Sequence, residues 1–282
     1  MALAEAKDDE QRADVVQFIT SSFDLDNAPL RRQITALLAP YRGAGEAPST
    51  TARIRIHEIQ VALRTGEPVD LSTAFDGLRV PRVANIRNRM SLRHYTQTGD
   101  KAALKRLVDS LDSAQLLDPA QLDLTIPALD LLGMKTEADL ARKTARRECR
   151  RAVVTSWASL DETGINRALD LAELLDDPEA LPPGWVKAVS TGTANPWNQH
   201  RPLMIDAWLR RNWEEASRQA AQLIELYPNA YNSYWYRGMA LHRLGRDEEA
   251  ATALAVYTRY SKEELEYPEA VKLLEKLSPR AP

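Results

Sequence analysis

Residues 207–228 read AWLRRNWEEASRQAAQLIELYP and residues 234–257 read YWYRGMALHRLGRDEEAATALAVY. In both, a short polar turn (RRNWEEA, then RLGRDEEA) joins two runs whose apolar residues recur at helical spacing. Each turn closes on an alanine, and the two alanines, Ala216 and Ala250, stand 250 − 216 = 34 residues apart. A small side chain there lets the second helix press against the first, where a larger one would hold the two apart. Helix–turn–helix units that stack on copies of themselves impose this requirement, and a fixed spacing of tens of residues is their mark in a sequence.

The pattern resembles the tetratricopeptide repeat (TPR). Tyr234, Gly238, Ala250 and Leu254 fall where that family places an aromatic, a glycine, an alanine and an aromatic or large apolar residue. In the preceding unit Leu203, Ala216 and Pro228 match, and Trp213 fills the turn. The chain departs from the family at Arg237, where leucine is usual, and at Lys262, where no proline closes the unit. The resemblance implies an all-α fold, a right-handed superhelical solenoid of antiparallel helix pairs. The first helix of each unit would then line a concave groove. The side chains implied to face it are Asn198, Arg201, Ile205, Trp208 and Leu209, then Asn232, Trp235, Met239, His242 and Arg243. Such a groove suits an extended peptide: asparagine holds backbone, arginine holds a carboxylate, and tryptophan and methionine supply apolar anchors. The alternative reading, that Trp208 and Trp235 pack under the flanking helix, stands beside it.

Composition narrows the function classes. With 44% hydrophobic and 27% charged residues the chain is globular rather than disordered. Only 11 glycines in 282 residues, and few β-branched runs, favour helix. A net charge of −3 gives no overall attraction to nucleic acid or to an anionic membrane. A single cysteine excludes an intrachain disulfide framework and a cysteine-rich zinc site. No run approaches the roughly 20 apolar residues of a membrane span. The opening MALAEAKDDEQRAD lacks the basic start and apolar core of a signal peptide, which points to the cytoplasm. Ala2, Leu3 and Ala4 nevertheless resemble the small-residue end of a cleaved leader, which leaves the periplasm as the alternative.

Upstream of the clear repeats the signals weaken. Residues 10–39 read as two helices, with Val15, Val16, Phe18 and Ile19 in the first and Leu30, Ile34, Leu37 and Leu38 striping the second. The Gly-, Ala- and Pro-rich segment 41–50 reads as a turn, and its G-A-G-E lacks the preceding strand of a dinucleotide loop. Residues 51–64 read as a helix carrying Ile54, Ile56, Ile59 and Leu63. His57 and Glu58 begin like a zinc-protease motif, but Val61 stands where the second histidine is needed. From residue 82 a degenerate form of the repeat follows: Gly99 and Gly133 are 34 apart, as are Leu104 and Ala138, and Ala168 comes 30 later. The larger Leu104 implies wider helix spacing in its unit. Ser159-x-x-Glu162 has the form of a capping box. Pro182, Pro183, Gly184, Gly192 and Pro196 then block any long helix, with room for a short one at 185–189. The expected division is an N-terminal helical segment at 1–45, degenerate TPR-like repeats at 50–176 and a linker at 177–200. Two clear units and a capping helix follow at 201–278.

No Gly-x-Ser-x-Gly, Ser-x-x-Lys or phosphate-cradling glycine loop is present, so no enzyme activity, cofactor or metal is expected. Cys149 continues an apolar stripe with Ala138, Ala141, Ala145 and Val153 and reads as packing. Two basic stretches stand out: one at 79–106 that includes Arg89 and Arg93, the other a helix carrying Arg142, Lys143, Arg146, Arg147, Arg150 and Arg151. A solvated face, an acidic peptide partner, and nucleic acid or anionic lipid all fit. The lack of interleaved aromatics counts against base stacking.

The function expected is a non-catalytic protein–protein interaction scaffold or adaptor holding a peptide segment or partner domain in the groove. An Ala/Arg/Leu-rich composition points to a bacterium, where proteins that look like this serve envelope-assembly or secretion complexes. Self-association through an uncapped end is also open. Two rival readings are a regulator binding nucleic acid or another anionic ligand through the basic N-terminal half, and an enzyme with a site around His200, Arg201 and Asp206.

Overall fold

The computed structural model describes residues 8, 11–16, 28–41, 48–65, 67–78, 83–262 and 264–277, and their regular structure is helical throughout. Two compact units divide the chain, Met1–His94 and Tyr95–Pro282.

In the first unit, α1 (residues 11–16), α2 (Ala28–Leu38) and α3 (Pro48–Thr65) share a core of Val16, Ile34, Leu38 and Ile54. Ile34 and Leu38 lie one helical turn apart and are buried while Leu37 between them is exposed, so α2 commits a narrow stripe to the core. Phe18 and Ile19 fall outside the described residues. After α3, the Asp70 carboxylate accepts hydrogen bonds from the Ser72 amide and hydroxyl and from the Thr73 hydroxyl. The turn it ties sends Leu71 and Phe75 inward. Helix α4 (Val83–Thr98) runs across the division.

The second unit continues with α5 (Lys101–Ser110), α6 (Ser113–Leu116), α7 (Leu122–Leu132), α8 (Lys135–Ser159), α9 (Glu162–Leu175) and α10 (Pro183–Gly192). It ends with α11 (Pro196–Leu209), α12 (Trp213–Leu226), α13 (Tyr231–Arg243), α14 (Asp247–Tyr260) and α15 (Tyr267–Leu277). From α7 to α9 and again from α10 to α15, each helix packs on the next; α7 also touches α9, α8 touches α10, and α9 touches α11.

Among the described residues of this unit, five turns place a positive-φ residue two positions before the next α-helix, with a fully buried side chain five positions after that residue. One is Leu160 (φ 52°), followed by Ile165, and the other four include the pairs spaced by 34. Gly99, Gly133, Arg211 and Gly245 have positive φ of 71°, 72°, 59° and 74°. Each stands two residues before the next helix, α5, α8, α12 or α14. The amides of Gly133, Arg211 and Gly245 donate to the carbonyls of Asp130, Trp208 and His242. The following amides, of Met134, Asn212 and Arg246, reach back to Leu129, Ala207 and Leu241. That paired closure satisfies the carbonyls left open at a helix end. Five residues after these four positions come Leu104, Ala138, Ala216 and Ala250, every one 0% exposed. The spacing of 34 therefore recurs as a backbone fact, 133 − 99 and 245 − 211. Leu104 is accommodated without exposure in the place held elsewhere by alanine.

One local expectation is corrected. Asp161, and not Ser159, caps α9, its carboxylate accepting the Gly164 amide at 2.7 Å. Ser159 still belongs to α8, where its hydroxyl donates to the Thr155 carbonyl. The short helix expected at 185–189 is present within α10, Pro183–Gly192, and the chain enters α11 at Pro196. Trp185 of α10 is fully buried and donates its indole N–H to Ser156 Oγ at 3.1 Å.

Candidate functional site

The close approach expected between α13 and α14 is present at Gly238. A Cβ at that position would lie 2.6 Å from Leu254 Cγ and 3.3 Å from the Ala250 carbonyl oxygen. Hydrogen in place of a side chain is what lets the two helices meet. The face of α13 beside this contact carries aromatics. Trp208 of α11 lies 5.2 Å from Trp213, 5.0 Å from Trp235 and 5.3 Å from Tyr236, centroid to centroid. Trp208 and Trp235 also pack against the cluster of Met239, Leu254, Tyr257 and Ala270, which Leu273, Leu274 and Leu277 of α15 join.

Both tryptophans stay partly exposed, and the Trp235 indole N–H finds no hydrogen-bond partner among the described residues. Met239 is buried in the same cluster. Ile205 and Leu209 are buried as well. Asn198 is buried and donates from Nδ2 to Glu162 Oε1 at 3.3 Å. Arg201 donates to Asn166 Oδ1 at 2.8 Å and to Asp170 Oδ1 at 2.5 Å. These two polar side chains are thus engaged with α9. Asn232 and Arg243 are exposed, and His242 Nδ1 sits 2.8 Å from Asp247 Oδ1.

Sequence reasoning missed Glu173. It projects from α9, and the Tyr236 hydroxyl of α13 donates to its Oε1. Burial pushes its carboxyl up to about 8, the Arg201 guanidinium opposes the rise, and Glu266 and Asp170 add to it. No short-range signal could have revealed the pairing, since 63 residues separate Glu173 from Tyr236. Cys149 is buried, with its thiol against the carbonyls of Ala168 and Ala180. Burial first, then the Asp177 charge, raises it to about 11, where a thiolate is scarce at neutral pH.

The basic residues divide between the units. Arg89 and Arg93 lie on α4 in the first, partly buried. Arg142 of α8 pairs with Asp130 at 2.5 Å and Asp139 at 3.5 Å. Arg146, Arg147 and Arg150 on the same helix are exposed. His200, Arg201 and Asp206 each have a different partner: His200 Nδ1 meets Gln219 Oε1 at 2.8 Å, Arg201 meets α9, and Asp206 binds Arg210 at 2.8 Å. They do not converge on a common point of attack.

An open cleft of about 560 Å³ lies at the α12–α13 turn, lined in part by Trp197, Leu226, Tyr227 and Pro228. Trp197 and Tyr227 meet edge to face at 5.6 Å. Among the described residues no three His, Cys, Asp or Glu side chains gather into a metal-ligating group, and no helix is long and apolar enough to cross a membrane. No family model, curated protein or solved structure matches the chain.

Proposed function

We propose that the chain is a TPR-like protein–protein interaction scaffold, a right-handed solenoid of helix pairs that holds a peptide segment in a concave face lined by α11 and α13. The observation that carries the reading is the repeated turn: positive φ at residues 99, 133, 211 and 245, each followed five residues on by a fully buried side chain. A unit repeated in backbone geometry stacks in a regular curve, and the curve supplies an extended binding surface.

The accessible part of that surface consists of Trp208 and Trp235 with Asn232, His242 and Arg243. Asn198, Arg201 and Met239 act beneath it, fixing α11 and α13 against their neighbours. A peptide carboxylate would meet Arg243, backbone amides would meet Asn232, and an apolar side chain would lie on the tryptophan pair.

Selection from a displayed random-peptide library tests this, followed by calorimetric titration of enriched peptides. Parent chain and an Asn232→Ala/Arg243→Glu variant are compared. Both positions are exposed, so the fold is retained, as circular dichroism would verify. The variant is expected to bind roughly tenfold or more weakly, the loss typical of a central anchor pair. Peptides bound equally by both forms, or no enrichment at all, would remove the groove from consideration.

A further inference from the structure

Helix α8 carries a surface that the groove does not use. Its 25 residues extend about 37 Å. One side is core: Ala138, Ala141, Ala145, Cys149 and Ala152 are buried. On the opposite side Leu140 is 50% exposed, Val154 70% and Trp157 48%. These three are the majority of the five large hydrophobic residues that stand exposed among the described residues. At roughly 100° per residue they share an arc of about 140° with Lys143, Arg146, Arg147, Arg150 and Arg151. Arg147 and Arg151 both lean on Glu148, at 3.4 and 3.8 Å; Lys143, Arg146 and Arg150 have no ion pair among the described residues. The Trp157 ring is held against the start of α10, where Cη2 would sit 3.4 Å from a Cβ on Gly184. It is an anchored aromatic with its other face open.

A solvated helix face does not require large apolar side chains in line with its charges. The order along the helix is apolar, cationic, apolar: Leu140, then residues 143–151, then Val154 and Trp157. The cationic part spans only about 12 Å. One helical segment bearing carboxylates three and four residues apart, with apolar residues at both ends, matches that order in length and in charge. Four of the five cations are arginines, whose planar forks take carboxylates in pairs. A second copy of α8 would set cation against cation. A bilayer or a nucleic-acid duplex would present anions along the whole helix, including its first turns, where Glu137 and Asp139 offset Lys135 and Arg142 and leave no excess of positive charge.

We propose that the outer face of α8 docks an acidic amphipathic helix of a partner protein, carboxylates on Lys143, Arg146, Arg147 and Arg150, apolar ends on Leu140 and on Val154 with Trp157. The probes are a displayed library of short helix-forming peptides, phosphatidylserine–phosphatidylcholine vesicles and a short DNA duplex. They are tested on the full chain and on an Arg146→Glu/Arg150→Glu variant. The expected result is enrichment of peptides that combine Asp or Glu with Leu or Phe, bound roughly tenfold or more weakly by the variant and less tightly in high salt. The same peptide with its glutamates changed to lysine should regain affinity for the variant. Trp157→Ala should weaken binding severalfold and leave the salt dependence unchanged. An Arg146→Gln/Arg150→Gln variant, which adds no negative charge, keeps the comparison open should the reversal impair folding. Peptides unaffected by either variant, or selection of no acidic sequence, overturn the proposal. Vesicle or duplex binding that is lost in the variant while no peptide binds overturns it in favour of that ligand. Loss of groove peptides in the Arg243→Glu variant is independent of these outcomes.

Discussion

Glycine in the interior of a helix ordinarily costs about 1 kcal/mol relative to alanine, because it gives up the most backbone freedom. At Gly238 the sign should invert. The methyl group of an alanine would meet Leu254 at 2.6 and 2.8 Å and the Ala250 carbonyl at 3.3 Å, so α14 would have to retreat or Leu254 leave its rotamer. Overpacking of this kind costs about 1–3 kcal/mol, more than the propensity gain returns. Net of that gain, Gly238→Ala should lower the free energy of unfolding in urea by up to about 2 kcal/mol, whereas a midpoint that holds or rises would mean that α13 and α14 sit further apart than the 2.6 Å approach to Leu254 implies. The nearby tryptophans illustrate how two readings of one residue can both have physical content. Trp208 and Trp235 pack against the cluster of Met239, Leu254, Tyr257 and Ala270, yet remain partly exposed. An aromatic of that size buries its body and still leaves an edge for a ligand.

At the scale of helix and turn, the left-handed residue between helices sets how each pair closes. Gly245 and Arg211 occupy equivalent places, with φ of 74° and 59°. A residue with a Cβ in that conformation is strained by roughly 1 kcal/mol or more, which Arg211 offsets in part through Asp176, at 2.5 Å, and the Trp213 ring, at 5.7 Å. Both partners are solvent-accessible and contribute little. Gly245→Ala should destabilise by about 1 kcal/mol, while Arg211→Gly should change stability by less than that despite losing its ion pair. Thermal melts of the two variants make the comparison, and a larger loss at Arg211 would assign the closure of that turn to the ion pair instead. The same local logic explains what the sequence made legible. Ala216, Ala250, Gly99 and Gly133 could be read because the constraint on each lies within one turn and two helices adjacent in the chain. The start of α9 could not be read so easily: Ser159 and Asp161 are both good caps, and the choice falls to where α8 ends. Helix α10 was legible at 185–189, and only its start at Pro183 was obscured, although proline is well suited to the first turn of a helix, where its missing N–H is not needed.

At the scale of the whole second unit, Glu173 links elements that the sequence keeps far apart. Its carboxyl belongs to α9, the hydroxyl that it accepts comes from α13, Arg201 approaches from α11, and Glu266 lies in the connection ahead of α15. Burial, against the pull of Arg201, raises the carboxyl from an ordinary value of 4.5 to about 8. The folded state therefore holds a proton that the unfolded chain releases. Stability from this group is complete below about pH 4.5, declines as pH rises, and is gone above about pH 8. Glu173→Gln supplies the neutral isostere and can still accept from Tyr236, so the variant should lack this decline. Melting temperatures at acidic, neutral and mildly alkaline pH, taken for parent and variant together, cancel the contributions of every other titrating group. The variant should approach the parent at acidic pH and exceed it increasingly toward alkaline pH. A Tyr236→Phe change separates the two partners, since it removes the hydrogen bond and leaves the carboxyl buried. Its pH dependence should keep the parent's direction. Parallel curves for parent and Glu173→Gln would show that this carboxyl is ionised in the folded chain, and that the meeting of α9 with α13 is more open to water than the arrangement of Glu173, Tyr236 and Arg201 implies.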